Sequence, residues 1–178
     1  MEEISETQVI TFQVDREIYG LDVHQIKEII KVRDCVRLPN SPPSIEGVIH
    51  LRGQIIPIID LRKTFHMAPK KSDENTRIIM AEYSSEIVGL IVDSVIDVAS
   101  VTQSDIVKPP ALTKSNGNEF VTGIVKYKDD LIVVINVVRL MEAKNAADQN
   151  VSLASEISQA RKTFKAPVKN EQEAIIVS

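Results

Sequence analysis

An all-β fold of two small barrels packed together, with a helix after them, is what this chain predicts. Three features carry that expectation. Segments rich in Ile and Val, several alternating apolar and polar residues with period two, are punctuated by Gly, Pro and Asp, the signature of short strands. The pattern then occurs a second time in the same chain. Beyond Val137 the apolar residues recur at spacings of three and four, the period of a helix.

At 178 residues there is room for one domain or two small ones. A hydrophobic share of 43% beside 26% charged residues is that of a globular chain, and it suffices to bury roughly two-thirds of the extended surface. Ile and Val dominate and Trp is missing, which favours close-packed β-structure. The net charge of −4 and pI near 5.4 argue against nucleic acid, which selects basic faces. One cysteine, Cys35, excludes an internal disulfide. With no signal peptide and no apolar run near 20 residues, a cytoplasmic protein with no membrane insertion is expected.

Residues 1–8 are acidic and polar and read as a flexible leader. Residues 9–14 alternate Ile10, Phe12 and Val14 with Thr11, Gln13 and Asp15, a half-buried strand. A polar turn at residues 15–17 leads to a second strand, with Gly20 marking close backbone approach or a bend. Residues 22–28 fit either a helical turn or a strand; a short turn and then a strand to Val32 is preferred. A loop with three prolines follows, residues 34–44.

Residues 38–62 organise the first half. Two apolar β-segments, 47–51 and 54–60, flank Arg52-Gly53, a hairpin tip because Gly accepts the positive φ of tight turns. Arg52 is then a cation held at the end of a dry hairpin. Pro57 has no N–H for a ladder, so its strand is expected at an edge or at a bulge. Residues 63–76 are polar and read as an internal linker.

From Arg77 the chain starts again. With Gly89 laid on Gly20, Val95 falls on Ile26, Asp97 on Glu28 and Val98 on Ile29. With Gly123 on Gly47, Lys128 falls on Arg52, Asp129 on Gly53 and Asn136 on Asp60. The registers differ by seven residues, which an insertion at 113–119 absorbs. Two such units, each about 60–70 residues, are marginal alone and should pack together, with a groove at their seam. Val137, Leu140 and Met141 suggest a helical turn. Leu153, Ile157, Ala160 and Phe164 form one stripe of an amphipathic helix at 152–164, with Ser152 as N-cap and Pro167 as its stop.

The chemistry-bearing residues do not assemble into a motif. His24, His50 and His66 share no ligand spacing, and there is no phosphate loop or nucleophile elbow. No catalytic residues, metal or cofactor are expected. Cys35 has no nearby His to activate it. Asp60 and Asp93 end or interrupt apolar runs; a small hydrolase using either is the outside reading, against aspartates that satisfy turn amides. A duplicated small barrel is more naturally a binding module.

The motifs Tyr19-Gly20-Leu21-Asp22-Val23, Lys27-Glu28-Ile29, Leu38-Pro39-Asn40-Ser41-Pro42, Gly47-Val48-Ile49-His50-Leu51-Arg52-Gly53, Ile56-Pro57-Ile58-Ile59-Asp60-Leu61-Arg62 and Val88-Gly89-Leu90-Ile91-Val92-Asp93 together resemble the CheW family of bacterial chemotaxis coupling proteins. The resemblance spans residues 8–141. It implies two intertwined five-stranded SH3-like barrels. It implies a CheW-like domain at 9–142, split into subdomains at about 9–65, with strand exchange, and 77–142, and an extension at 143–178. It implies a non-enzymatic adaptor linking the histidine kinase CheA, through the kinase's own CheW-like regulatory domain, to the cytoplasmic tip of methyl-accepting chemoreceptors, and so recruited to membrane receptor arrays. The family's receptor-side positions fall on Ile26, Glu28, Gly47, Arg52, Gly89 and Val98. Ile26 and Val98 would line the groove, Gly47 and Gly89 would admit a helix close to the backbone, and Glu28 and Arg52 would pair with each other or with the receptor. His50 departs from the usual Asn. An adaptor of another chemosensory pathway, for motility or development, is the alternative.

Overall fold

A computed structural model of the protein describes residues 5–110 and 119–147. The helix expected at 152–164 and most of the insertion at 113–119 lie outside the described residues. The strands are β1 (Glu6–Val14), β2 (Glu17–Asp22), β3 (Ile26–Lys31), β4 (Ile45–Leu51), β5 (Gln54–Asp60), β6 (Arg77–Tyr83), β7 (Glu86–Val92), β8 (Ser94–Thr102), β9 (Ile106–Val107), β10 (Val121–Tyr127) and β11 (Asp130–Ile135). A short helix α1 (Leu61–Thr64) follows β5, and α2 (Val137–Ala147) follows β11. The ambiguous segment after Asp22 resolves into a 3-10 turn, Val23–Gln25, and then β3.

The strands form two sheets, in the orders β8-β1-β2-β11-β10-β9 and β3-β6-β7-β5-β4. Mapping the sequence repeat onto them gives a specific result. If β8 stands for β3, β1 for β6, β2 for β7, β11 for β5 and β10 for β4, the two orders are the same. The first hairpin of each half has therefore joined the other half's sheet: β1 pairs with β8, and β3 pairs with β6. In each sheet the central pairing is parallel, β11 with β2 and β5 with β7. The chain crosses between the sheets at the turn Val23–Gln25 and at the single residue Asp93.

Period-two patterning places one side of the strands inside a barrel, and β1, β2, β5, β6 and β7 turn apolar residues of their other side toward the neighbouring barrel. Val9, Ala99, Val101, Val125, Ile132 and Val134 fill the first barrel. Ile49, Ile56, Ile58, Ile78 and Met80 fill the second. Between the barrels lies a larger core that includes Leu21, Ile59, Leu61, Ile79, Leu90, Val137 and Leu140. Through it runs a row of stacked rings, Phe12, Tyr19, Phe65 and Phe120, with centroids 5.9, 5.0 and 5.4 Å apart.

Three details differ from the sequence reading. β1 begins at Glu6, not after Gln8, because Glu6, Thr7 and Gln8 find partners on β8 at Thr102, Val101 and Ser100. Pro57 is buried on an inner strand and not at an edge. It is not at a bulge either, since the irregularity of the β4–β5 pair lies between Ile45 and Gly47; it is tolerated because the parallel ladder with β7 begins one residue later, at Ile58. From Val137 the chain continues for eleven residues as α2 instead of a single turn.

Gly20 and Gly89 owe their place to packing inside the barrels. A methyl at Gly89 would collide with Ile58 Cδ1 and lie 2.8 Å from Ile78 Cγ2; at Gly20 it would lie 2.9 Å from Ile132 Cγ2. Ile58 and Ile78 are fully buried and have nowhere to retreat. Gly89→Val is therefore expected to lower the unfolding free energy by about 1–3 kcal/mol through overpacking, read from urea denaturation; an unchanged midpoint would contradict the close fit.

Candidate functional site

The β4–β5 hairpin turns on Arg52 and Gly53, with φ of 49° and 78°. Two successive positive φ values are those of a type I′ turn, whose twist matches the flanking strands. Gly53 adopts this freely, and the space around it is open. The turn aims Arg52 back at the start of β3, where its Nη1 donates to Glu28 Oε1. The arginine side chain is 73% exposed and the glutamate 29%, so the cation is the outer member. Such a pair contributes only about 0–1 kcal/mol to stability. Its effect is to hold the guanidinium in a defined direction while leaving its other donors free for a partner.

Beneath the pair is a cleft of about 210 Å³ whose floor is Leu51, Ile56, Met80 and Ile87 and whose rim carries Lys27, Glu28, Arg52 and Gln54. Lys27 reaches Glu82 at 2.8 Å across the neighbouring surface. The other barrel repeats the device. Its β10–β11 hairpin turns on Lys128 and Asp129, φ 49° and 69°, and Lys128 Nζ lies 3.5 Å from Asp97 on β8 and 5.0 Å from the Tyr127 ring centroid. The sequence alignment of Arg52 with Lys128 and Glu28 with Asp97 thus corresponds to equivalent ion pairs in space.

The remaining predicted residues are dispersed. Ile26 opens β3, two residues before Glu28, and packs partly buried against the central core. Val98 lies on β8 of the other barrel, opposite Ile10 of β1, 47% exposed and next to Asp97. At Gly47 and Gly89 the close approach is made by the chain's own atoms and not by an incoming helix. The Val36 carbonyl, which pairs with Val48, occupies the space over Gly47, with Cys35 Cβ 3.0 Å from where a methyl would stand. Ile58 and Ile78 occupy it at Gly89.

The two candidate acids both have other employment. Asp60 caps α1, its Oδ1 accepting from Arg62 N at 2.9 Å; burial pushes its carboxyl up, against the pull of that N–H and of Lys63. Asp93 accepts from Arg62 Nε at 2.8 Å and Nη2 at 2.6 Å. Burial opposes its ionisation, yet the Arg62 and Asp15 N–H bonds hold its carboxyl below the usual range. Among the described residues no three His, Cys, Asp or Glu side chains converge as metal ligands would.

The family model for the CheW-like domain matches residues 8–145. The chain belongs to the CheW-like family. It is 32% identical to the chemotaxis protein CheW of Treponema pallidum over 77% of this chain and 83% of that one. It is 33% identical to the chemotaxis protein CheW of Bacillus subtilis over 78% and 88%. The crystal structure of the scaffolding protein TtCheW from Thermoanaerobacter tengcongensis superposes with a TM-score of 0.72 at 36% identity, covering 78% of this chain and 94% of that one.

Within this CheW-like frame the reading from sequence overlooked Arg62. It closes the family motif Ile56-Pro57-Ile58-Ile59-Asp60-Leu61-Arg62, but neither that motif nor a charge following an apolar strand pointed to its partner Asp93. Cys35, expected from sequence to lack an activating His, is also half-buried beside carboxylates. Burial, then Glu46 and Asp34, raise its thiol from 9.0 to about 11. At pH 8 its reaction with a disulfide reagent should be about a hundredfold slower in the native protein than in urea, in proportion to thiolate; equal rates would mean that the thiol is not shielded as described.

Proposed function

We propose that this CheW-like chain holds a CheA-type histidine kinase against the cytoplasmic tip of methyl-accepting chemoreceptors, with no chemistry of its own. Its role as a chemotaxis coupling adaptor comes with the family. The observation that carries the finer reading is the hairpin tip: Arg52, held outward by Glu28 on a rigid type I′ turn, at the rim of an apolar cleft.

A receptor tip is a helical hairpin, and such a partner is met by apolar contacts in a groove with a few charges fixing register. Ile26 and Val98 supply apolar surface from β3 and β8, the equivalent strands of the two barrels. Arg52 and Glu28 supply the charges. Gly47 and Gly89 act from behind, by letting the Cys35–Val36 crossing and the barrel core close up. The kinase's regulatory domain, itself CheW-like, would meet strand surfaces of the barrels. No described helix is long and apolar enough to cross a membrane, and association with receptor arrays would come through the receptor.

The test is titration of the full chain with a receptor-tip fragment and, separately, with the kinase's regulatory domain. Micromolar affinity is expected for each, as small interfaces give. Arg52→Glu sets two carboxylates side by side and should weaken receptor binding about tenfold or more while moving the unfolding free energy by no more than about 1 kcal/mol. Unaltered receptor affinity would remove Arg52 from the interface; no binding by the wild-type chain to either partner would remove the proposal.

A further inference from the structure

Arg62 and Asp93 form the most enclosed ion pair among the described residues, with side chains 11% and 14% exposed. The guanidinium meets the carboxylate as a fork, Nε to Oδ1 and Nη2 to Oδ2, the geometry of strongest direction. Two further donors are engaged: Nη2 reaches Asp15 Oδ1 at 3.3 Å, and Nη1 donates to the Ala68 carbonyl at 2.8 Å. Asp93 is equally engaged. Its Oδ2 accepts from Asp15 N at 2.8 Å, and its own N–H donates to the Gln13 carbonyl at 2.9 Å.

The location gives the pair its meaning. Val92 ends β7 in one sheet, paired with Arg77; Ser94 begins β8 in the other, paired with Gln13. Asp93 is the one residue between them. Gln13 and Asp15 hold it from the barrel of β1 and β2, while Arg62 holds it from α1, which continues β5 of the other barrel. Among the described residues, the first crossing, at Val23–Gln25, is tied by local bonds, Asp22 to His24 on an exposed surface and the Ile26 N–H to the Val23 carbonyl.

We infer that the Arg62–Asp93 clamp is a positioning device: it sets the angle between the barrels, and so the placement of Val98 on β8 relative to Arg52, Glu28 and Ile26 on the other barrel. The apolar core between the barrels drives their association, but burial of apolar surface has no direction. A forked ion pair does. A buried pair of this kind contributes little net stability against apolar replacements, whereas removing one partner leaves an uncompensated charge. Position and stability are therefore separable by experiment.

The combined variant Arg62→Met with Asp93→Asn removes both charges together. In a Cys35→Ser background, nitroxides at Lys31→Cys on β3 and Lys126→Cys on β10 report the distance between barrels. Both lysines are exposed. Wild type should give one narrow distance distribution. The combined variant should remain folded, broaden that distribution and bind the receptor-tip fragment about tenfold more weakly, a coupling of ordinary size. Arg62→Lys keeps the charge without the fork and should fall between.

A folded combined variant with an unchanged distribution would overturn the inference, as would a broadened distribution with unchanged affinity. Failure of the combined variant to fold would mark the pair as a source of stability, and would overturn it as well. The affinity arm rests on the receptor reading above; if the wild-type chain ignores the tip fragment, that reading fails, while the distances still decide whether the clamp sets the angle.

Discussion

The core between the barrels carries the rest of this structure. It contains seventeen buried side chains, against six and five in the barrel interiors, among the described residues. A β-unit of this size with so few interior residues does not stand alone. The hairpin exchange follows the same logic. With β1–β2 in one sheet and β6–β7 in the other, Phe12 and Tyr19 from the start of the chain stack toward Phe65 and Phe120 from its middle and later part. The barrels are separate in architecture and continuous in chain, so neither can fold without threads supplied by both halves.

Such an arrangement needs polar order at the places where the chain passes from sheet to sheet. Backbone groups leaving one ladder must find partners before entering the next. At Asp93 the backbone N–H donates to the Gln13 carbonyl, the side-chain carboxylate accepts from the Asp15 N–H, and Arg62 neutralises that carboxylate. The carboxyl of Asp93 is held low by this company despite the opposition of burial. Its contribution to stability is thus present above the pKa of an unfolded aspartate and is lost as pH falls through the depressed folded value.

Much of this was legible in the residues. Local features transferred best: Arg52-Gly53 made a tip because a tight turn needs positive φ, and the alternation at residues 9–14 became β1. The duplication was equally visible, down to the paired charges at Arg52 and Lys128. Strand exchange was expected only from the family resemblance. Equivalent strands present equivalent edges, so the internal repeat alone does not say which copy pairs with which. Arg62 and Asp93 stand 31 positions apart and meet through that exchange. Gly47 and Gly89 were seen as openings for a partner because a missing Cβ signals close approach without saying whose atoms approach.

The two hairpin tips show how a duplicated fold acquires two different faces. Both hold a cation by a carboxylate on the equivalent strand. One is an arginine, a planar fork suited to carboxylates and amides, above an aliphatic cleft. The other is a lysine, a compact and strongly hydrated charge, resting on Tyr127 beside the exposed Ile96 and Val98. The scaffold keeps the geometry of the turn constant, so this difference resides in a few side chains whose loss costs the fold little. A protein that joins unlike partners needs surfaces that diverge in this way while their spacing stays fixed. The spacing is a property of the seam, and the divergence is a property of the tips.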